Sequence, residues 1–289
     1  MNLPRFLIEE RLREFLKEDL VLGDITPVPD VDVSAEIVCK SKGVVAGVEV
    51  VKILFDILHV RVEERVEDGQ SVEEGEVVML LEGKVKNVLA GERTALNILA
   101  KMSGVATATR EMVEMVRDYV DVSIAATRKT TPGFRIFEKM AVVIGGGDTH
   151  RYCLGDAVLV KDNHIAIMGI EGAIEAARNV SFTKKVEVEV SSAEDAVKAV
   201  ECGADIIMFD NMDPEDIAEA VKMLEKMGLR RRILLEASGG ITPKNAPRFA
   251  STGVDVISSG YITHSARPLD FSLRIRRSPP PRKQLSPRP

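Results

Sequence analysis

From Asp121 onward the chain alternates. Six short apolar runs, VSIAA, DAVLV, KVEVEV, DIIMF, RILLEA and VDVIS, are separated by amphipathic stretches such as SAEDAVKAVECG and DPEDIAEAVKMLEKMG. Strands separated in this way pair in parallel, because each helix carries the chain back along the sheet before the next strand begins. Six such units fall short of the eight, in roughly 250 residues, that a full barrel needs. The reading is α/β, a compact or incomplete parallel α/β barrel in preference to a doubly wound sheet, whose local periodicity is the same. Either architecture places active residues at the C-terminal ends of the strands.

Upstream the pattern differs. Phe6, Leu7, Leu12, Phe15 and Leu16 predict an amphipathic helix over Phe6 to Lys17, stopped by Gly23 and Pro27. Between Ala35 and Gly83 the β-rich runs AEIVCK, VVAGV, VRVEERV and VVMLLEG, with a helical piece near Glu49 to Leu58, form a separate mixed α/β unit. Its VEDGQSVEEGEVVMLLEG segment resembles the hairpins of biotinyl and lipoyl carrier domains but has no lysine at a turn tip. Two helices, Asn87 to Met102 and Ala106 to Tyr119, are expected to meet at a turn at Ser103-Gly104. The expected domains are residues 1–104, an N-terminal α/β domain with its linker helix, and 105–265, the barrel. Residues 276–289, RRSPPPRKQLSPRP, are too rich in proline and charge for a packed core and are expected to be disordered.

Charge and cysteine content narrow the function. A net charge of −6 argues against broad nucleic-acid binding. No apolar run reaches the roughly 18 residues that cross a bilayer, and the opening MNLPRFLIEERLREF is charged where a signal peptide is apolar, so a cytoplasmic protein is expected, with no membrane partner. Cys39, Cys153 and Cys202 are far apart and read as reduced thiols.

Chemistry gathers at the strand ends. VSIAA runs into Thr127-Arg128-Lys129, with Pro132 expected to start a helix. The glycine-rich Gly145-Gly146-Gly147 precedes His150-Arg151 and is expected to bring backbone N–H groups to an anion. DAVLV ends in Lys161 and His164. Alone, an Arg-Lys pair is usually a solvated surface. Five cations converging from three successive βα units of an acidic protein instead point to a ligand with several negative charges, a dicarboxylate or a phosphorylated sugar. The next strands bring Glu189 and Asp210, which suit Mg²⁺ or ribose hydroxyls, or a plain salt bridge to those cations. Glu187, two residues before Glu189, is read as facing a helix. Ser238-Gly239-Gly240 and Ser259-Gly260 end the last strands, where barrels commonly bind phosphate.

The strings LKEDLVLGDITP, GERTALNILAKMSGVAT, TRKTTPGFR, GGGDTHRYCLGDAVLVKDNHI, VEVEV, FDNM, EASGGI and GYITHS resemble, in order and over about Leu16 to Leu273, those of the quinolinate phosphoribosyltransferase family. The resemblance implies a type II phosphoribosyltransferase architecture, a hammerhead-like N-terminal domain followed by an open barrel, with residues 266–275 returning to the first domain. It implies a decarboxylating pentosyltransferase of NAD biosynthesis that converts quinolinate and phosphoribosyl pyrophosphate to nicotinate mononucleotide, with Mg²⁺ and no organic cofactor. Quinolinate binding is implied for Thr127, Arg128, Lys129, His150, Arg151 and Lys161, and for Arg93 across a dimer interface. Phosphoribosyl and phosphate contacts are implied for Glu189, Asp210, Ser238, Gly239, Gly240, Ser259, Gly260 and His264. Glu189 and Asp210 are also the implied Mg²⁺ contacts, and with Lys129 the implied catalytic groups. The assembly implied is a homodimer with shared sites, or a hexamer of such dimers.

Ala126, Thr149 and Phe209 depart from the Asp, Asn and Leu common in the family, yet none removes a charged group proposed to touch substrate. Ala126 keeps in view a relative encoded with molybdate transporters, whose substrate is unsettled, whereas KDNH favours the quinolinate enzyme. A transferase for nicotinate would release no CO₂, and a carrier or phosphate-sensing module would not need cations at so many strand ends.

Overall fold

The computed structural model describes residues 3–119 and 121–276. Of the described residues, those within 104–268 form one compact unit and those within 3–103 together with 269–276 form the other. Apart from Arg276, the proline-rich tail lies outside the described residues.

The first unit opens with α1 (Arg5–Leu20), which buries Ile8, Leu12 and Leu16, one stripe at four-residue spacing. Phe6, expected on that face, is 65% exposed. Next come β1 (Asp32–Cys39), β2 (Gly43–Val44), α2 (Val48–Ile57), β3 (Arg61–Glu64), β4 (Ser71–Val72) and β5 (Val77–Lys84). Only the first residues of VVAGV extend, because Gly47, at φ 100°, turns the chain into α2. The main sheet has the order β12-β1-β5-β3, and β2 pairs with β4. Its last member, β12 (Phe271–Arg276), runs antiparallel to β1 and includes Arg276, which was expected to be part of the tail.

The two helices expected around Ser103-Gly104 are one, α3 (Val85–Val116). Ser103 is buried, donating to the Ala46 carbonyl at 3.2 Å and accepting the Ala46 N–H at 3.0 Å. A Cβ on Gly104 would sit 2.4 Å from the Arg267 carbonyl oxygen, so this glycine permits close packing and turns nothing.

The second unit is a βα succession: β6 (Ser123–Ala126), α4 (Arg135–Gly145), β7 (Val158–Val160), α5 (Asp162–Arg178, broken at Gly169), β8 (Val186–Val190), α6 (Ala193–Glu201), β9 (Ile206–Asp210), α7 (Pro214–Lys226), β10 (Leu234–Ser238), α8 (Ala246–Ala250), β11 (Val256–Ser259) and α9 (Tyr261–His264). The six strands are parallel in the order β6-β11-β10-β9-β8-β7, so β6 and β7 are the two ends and the barrel does not close. Asp148 pairs with Ala125 as an isolated parallel bridge on the free side of β6. α4 starts at Arg135, three residues after Pro132, because Thr131 to Phe134 form a turn in which the buried Glu138 accepts the N–H and hydroxyl of Thr131, each at 2.9 Å. Among the described residues no helix is long and apolar enough to cross a membrane.

Candidate active site

At the C-terminal ends of the strands the second unit has a cavity of about 280 Å³. Thr127, Arg128 and Lys129 reach it after β6, His150 and Arg151 from the loop after α4, Lys161 after β7, Glu189 from β8, Asp210 from β9 and Ser238 from β10. Register explains the layering. Glu189 and Glu236 are both level with Met208 on β9, and one level further out Asp210, Ser238 and Ser258 align across β9, β10 and β11. Side chains two apart in a strand share a face, so Glu187 lies beneath Glu189 on the same side. It is 1% exposed and packs against His150, which corrects the expectation that it faces a helix.

The cations are only partly neutralised. Lys161 forms an ion pair with Glu189. Arg128 has a buried Nε without a hydrogen-bond partner among the described residues. Arg151 is 9% exposed, and burial, then the nearby Arg128 charge, lower its pKa. Two guanidiniums held near each other in a half-buried cleft make a site that gains when a polyanion enters. Lys129 is exposed; its N–H donates to Thr127 Oγ1 at 3.1 Å and its carbonyl accepts the Thr263 hydroxyl at 2.8 Å, which fixes the backbone under a free side chain.

The His150 loop is tightly determined. His150 takes a left-handed φ of 51°, and its N–H donates to Asp148 Oδ1 at 2.5 Å. The Arg151 N–H donates to His150 Nδ1 at 2.8 Å. Nε2 faces Glu236 Oε2 at 3.1 Å and Glu187 Oε1 at 3.4 Å. Burial lowers the histidine pKa, but hydrogen bonds and charge from Glu187 and Glu236 outweigh it and raise the value to about 10. The Arg151 N–H occupies the Nδ1 lone pair, so the ring in this structure is the neutral form with its hydrogen on Nε2, and the charged form that the two acids favour has to give up that N–H bond. Behind the loop, Lys139 of α4 is fully buried and donates to the Thr149 carbonyl. Burial and then Arg135 lower its pKa to about 8.

The glycine run lies outside the cationic cavity. Gly146, at φ 96°, caps α4, and a Cβ on Gly145 or Gly147 would fall 2.6 or 2.8 Å from Thr109 of α3. These residues are packing and cap positions. Gly239, Gly240, Ser259, Gly260 and His264 stand near the strand ends but do not line the cavity either. Ser259 donates to the Ile241 carbonyl at 2.6 Å, and a Cβ on Gly260 would meet His264 Nε2 at 2.8 Å. Gly239, at φ 98°, is pressed against Asn211, which donates to Asp210 Oδ2 at 2.8 Å. Arg93 is exposed on α3 in the other unit. Sequence reasoning placed Glu236 and Ser258 only in the runs that end the last two strands, with no role of their own, and gave no place to Met208 or Leu159; all four line the cavity. A lone acid inside the apolar LLEAS was the available signal for Glu236.

Glu189 and Asp210 supply hard oxygen donors on adjacent strands. Such a small set suits Mg²⁺, which keeps water and substrate phosphate in its shell. Asp210 retains an oxygen without a protein hydrogen bond among the described residues, so the donor set fits, with Glu189 shared with Lys161.

The family "Quinolinate phosphoribosyl transferase" matches in two parts, its N-terminal domain over residues 21–103 and its C-terminal domain over 105–274. The chain is 59% identical over 255 residues to a probable nicotinate-nucleotide pyrophosphorylase [carboxylating] of Archaeoglobus fulgidus, covering 88% of this chain and 98% of that protein. It is 43% identical to the human nicotinate-nucleotide pyrophosphorylase [carboxylating] over 82% of this chain and 80% of the human one. The solved structure of nicotinate-nucleotide pyrophosphorylase from Francisella tularensis superposes with a TM-score of 0.88 at 35% identity, covering 95% of this chain and 98% of that one. The chain belongs to the quinolinate phosphoribosyltransferase family.

Proposed function

We propose that the chain joins quinolinate to phosphoribosyl pyrophosphate and decarboxylates the product, giving nicotinate mononucleotide, pyrophosphate and CO₂, in cytoplasmic NAD biosynthesis. The observation that carries this reading is the grouping of Arg128, Lys129, His150, Arg151 and Lys161 in one cavity, facing Glu189 and Asp210 at the ends of adjacent strands. Such a pocket takes a dianionic ring beside a phosphorylated sugar.

Arg128, Arg151 and Lys161 hold the carboxylates and aim the pyridine nitrogen at the anomeric carbon. As the bond to pyrophosphate breaks, positive charge develops on the ribose, and the carboxylates of Glu189 and Asp210 stabilise it electrostatically. Glu189 and Asp210 would hold Mg²⁺, which would supply neutralisation of the leaving-group charge. The nitrogen lone pair forms the new bond and the ring becomes a permanent cation. The electron pair of the neighbouring C–CO₂ bond then stays on the ring carbon, beside that positive nitrogen, and takes up a proton. A cation gripping the departing carboxylate opposes this step, so the tighter contacts belong on the other one. Lys129, with its fixed backbone and free side chain, is placed to follow the charge as it moves. Arg93 from a second copy completes the site in a homodimer, and a hexamer assembles from such dimers.

The test is acceptor choice. Purified protein with Mg²⁺ and phosphoribosyl pyrophosphate is expected to make nicotinate mononucleotide from quinolinate and none from nicotinate; the reverse preference overturns the reading.

A further inference from the structure

Glu187 and Glu236 are the most buried acids of the site, 1% and 2% exposed, on β8 and β10 with β9 between them. Both converge on one atom, His150 Nε2, at 3.4 and 3.1 Å. Glu236 Oε2 accepts the hydrogen bond from Nε2, while Glu187 Oε1, the atom that faces Nε2, and Glu236 Oε1 are buried without a hydrogen bond among the described residues. Two carboxylates placed together out of water cost several kcal/mol unless a donor is shared between them. A leucine or methionine would fill either position at no such cost, so packing does not account for the pair.

We propose that Glu187 and Glu236 are positioning residues that hold the imidazole of His150 between them, and through it set the affinity of the pocket for the pyridine dicarboxylate. Register supplies the geometry. Glu236 is level with Glu189, and Glu187 lies two residues deeper on the same face of the sheet, so Nε2 is drawn below the layer that meets substrate. The ring is joined on its other side to the Arg151 N–H. Fixing the ring therefore fixes the backbone from which the Arg151 guanidinium, itself nearly buried, enters the pocket. Glu187 lies outside the cavity lining and reaches it only through this histidine-arginine pair, whereas Glu236 also forms part of the wall.

The same three side chains have the composition of a metal site, with ligand atoms within 4.8 Å of one another. The hydrogen on Nε2 removes the lone pair an ion would need, and the atoms are assigned to a hydrogen-bonded clamp.

The inference rests on the pocket binding quinolinate, and the experiment separates the two. Glu187→Gln and Glu236→Gln are each made alone and in a His150→Ala background, with KM for both substrates, kcat and Tm measured. A [¹⁵N]histidine spectrum follows the four imidazoles of the chain. Each single variant is expected to raise KM for quinolinate about tenfold, because glutamine removes the negative charge that faces Nε2, while KM for phosphoribosyl pyrophosphate stays within about twofold. In the His150→Ala background neither has a further effect, because contacts that act through one residue do not add. The Nε2 proton of His150 shifts in both single variants. An unchanged KM for quinolinate, an equal rise in the His150→Ala background, or a joint rise for both substrates with a fall in Tm overturns the clamp. Should a glutamine variant not fold, Glu236→Asp and Glu187→Asp keep the charge and are expected to fall between wild type and glutamine; a wild-type KM there counts against it. If wild-type protein turns over no quinolinate, the functional reading fails, and the Nε2 proton still decides the clamp: a shift supports it and no shift removes it.

Discussion

Replacing the buried Lys139 by methionine tests the electrostatics behind the His150 loop. The lysine is fully buried and donates to the Thr149 carbonyl, the acceptor that precedes His150. Burial and the Arg135 charge lower its pKa from 10.5 to about 8, against a weaker pull from Asp148, Glu138 and Asp156. That difference is worth about 3 kcal/mol between the charged and neutral forms. In the unfolded chain Lys139 binds its proton more tightly than in the folded one. Stability therefore rises with pH from about 8 to about 10.5 and is flat on either side of that window. Above it the neutral amine still donates to Thr149, so the hydrogen bond persists without the buried charge. Other groups titrate in the same range, and subtracting the curve for Lys139→Met removes them. Urea unfolding of both proteins from pH 7 to 10.5 is expected to show the wild-type advantage growing by about 3 kcal/mol. A difference that stays constant across the window refutes the claim that this ammonium is buried at a cost.

Single positions give further expected outcomes. Gly104→Ala, which in an ordinary helix adds about 1 kcal/mol of stability, is expected here to lose about 1–3 kcal/mol, because the new methyl meets the Arg267 carbonyl; thermal unfolding reads the sign. Arg128→Ala and Arg93→Ala are each expected to lower kcat/KM for quinolinate by at least about a hundredfold with Tm unchanged, since each removes a charged ligand contact and leaves no core cavity. Mixing those two inactive variants under subunit exchange is expected to restore activity, because one site in the mixed dimer is intact; no recovery after verified exchange contradicts a shared site. Asn211→Ala frees the Asp210 carboxylate and is expected to raise KM for phosphoribosyl pyrophosphate more than KM for quinolinate, measured by initial rates.

The strand-and-helix alternation made the second unit legible from sequence, and the residues just after each strand gave away the cations and the carboxylates that line the cavity. Contacts made over long sequence distances were not legible. Ser103-Gly104 has the composition of a turn, but its conformation is decided by Ala46 and Arg267, residues no local pattern connects to it. The glycine run at 145–147 reads as an anion cradle, but close packing against Thr109 requires it. Glu187 and Glu236 gain meaning only when the loop carrying His150 is folded over them, 37 and 86 residues away in sequence. Period two places Glu187 on the same face as Glu189, so reading it as facing a helix goes against the strand's own alternation.

If the cationic cavity couples ribosyl transfer to loss of a carboxylate, the two products must appear together. The most direct test uses quinolinate labelled in the carboxylate next to the ring nitrogen, with phosphoribosyl pyrophosphate and Mg²⁺, counting labelled CO₂ and pyrophosphate together. Equal release of the two, dependent on both substrates, is the predicted result; pyrophosphate without CO₂, or neither product from folded protein, contradicts it.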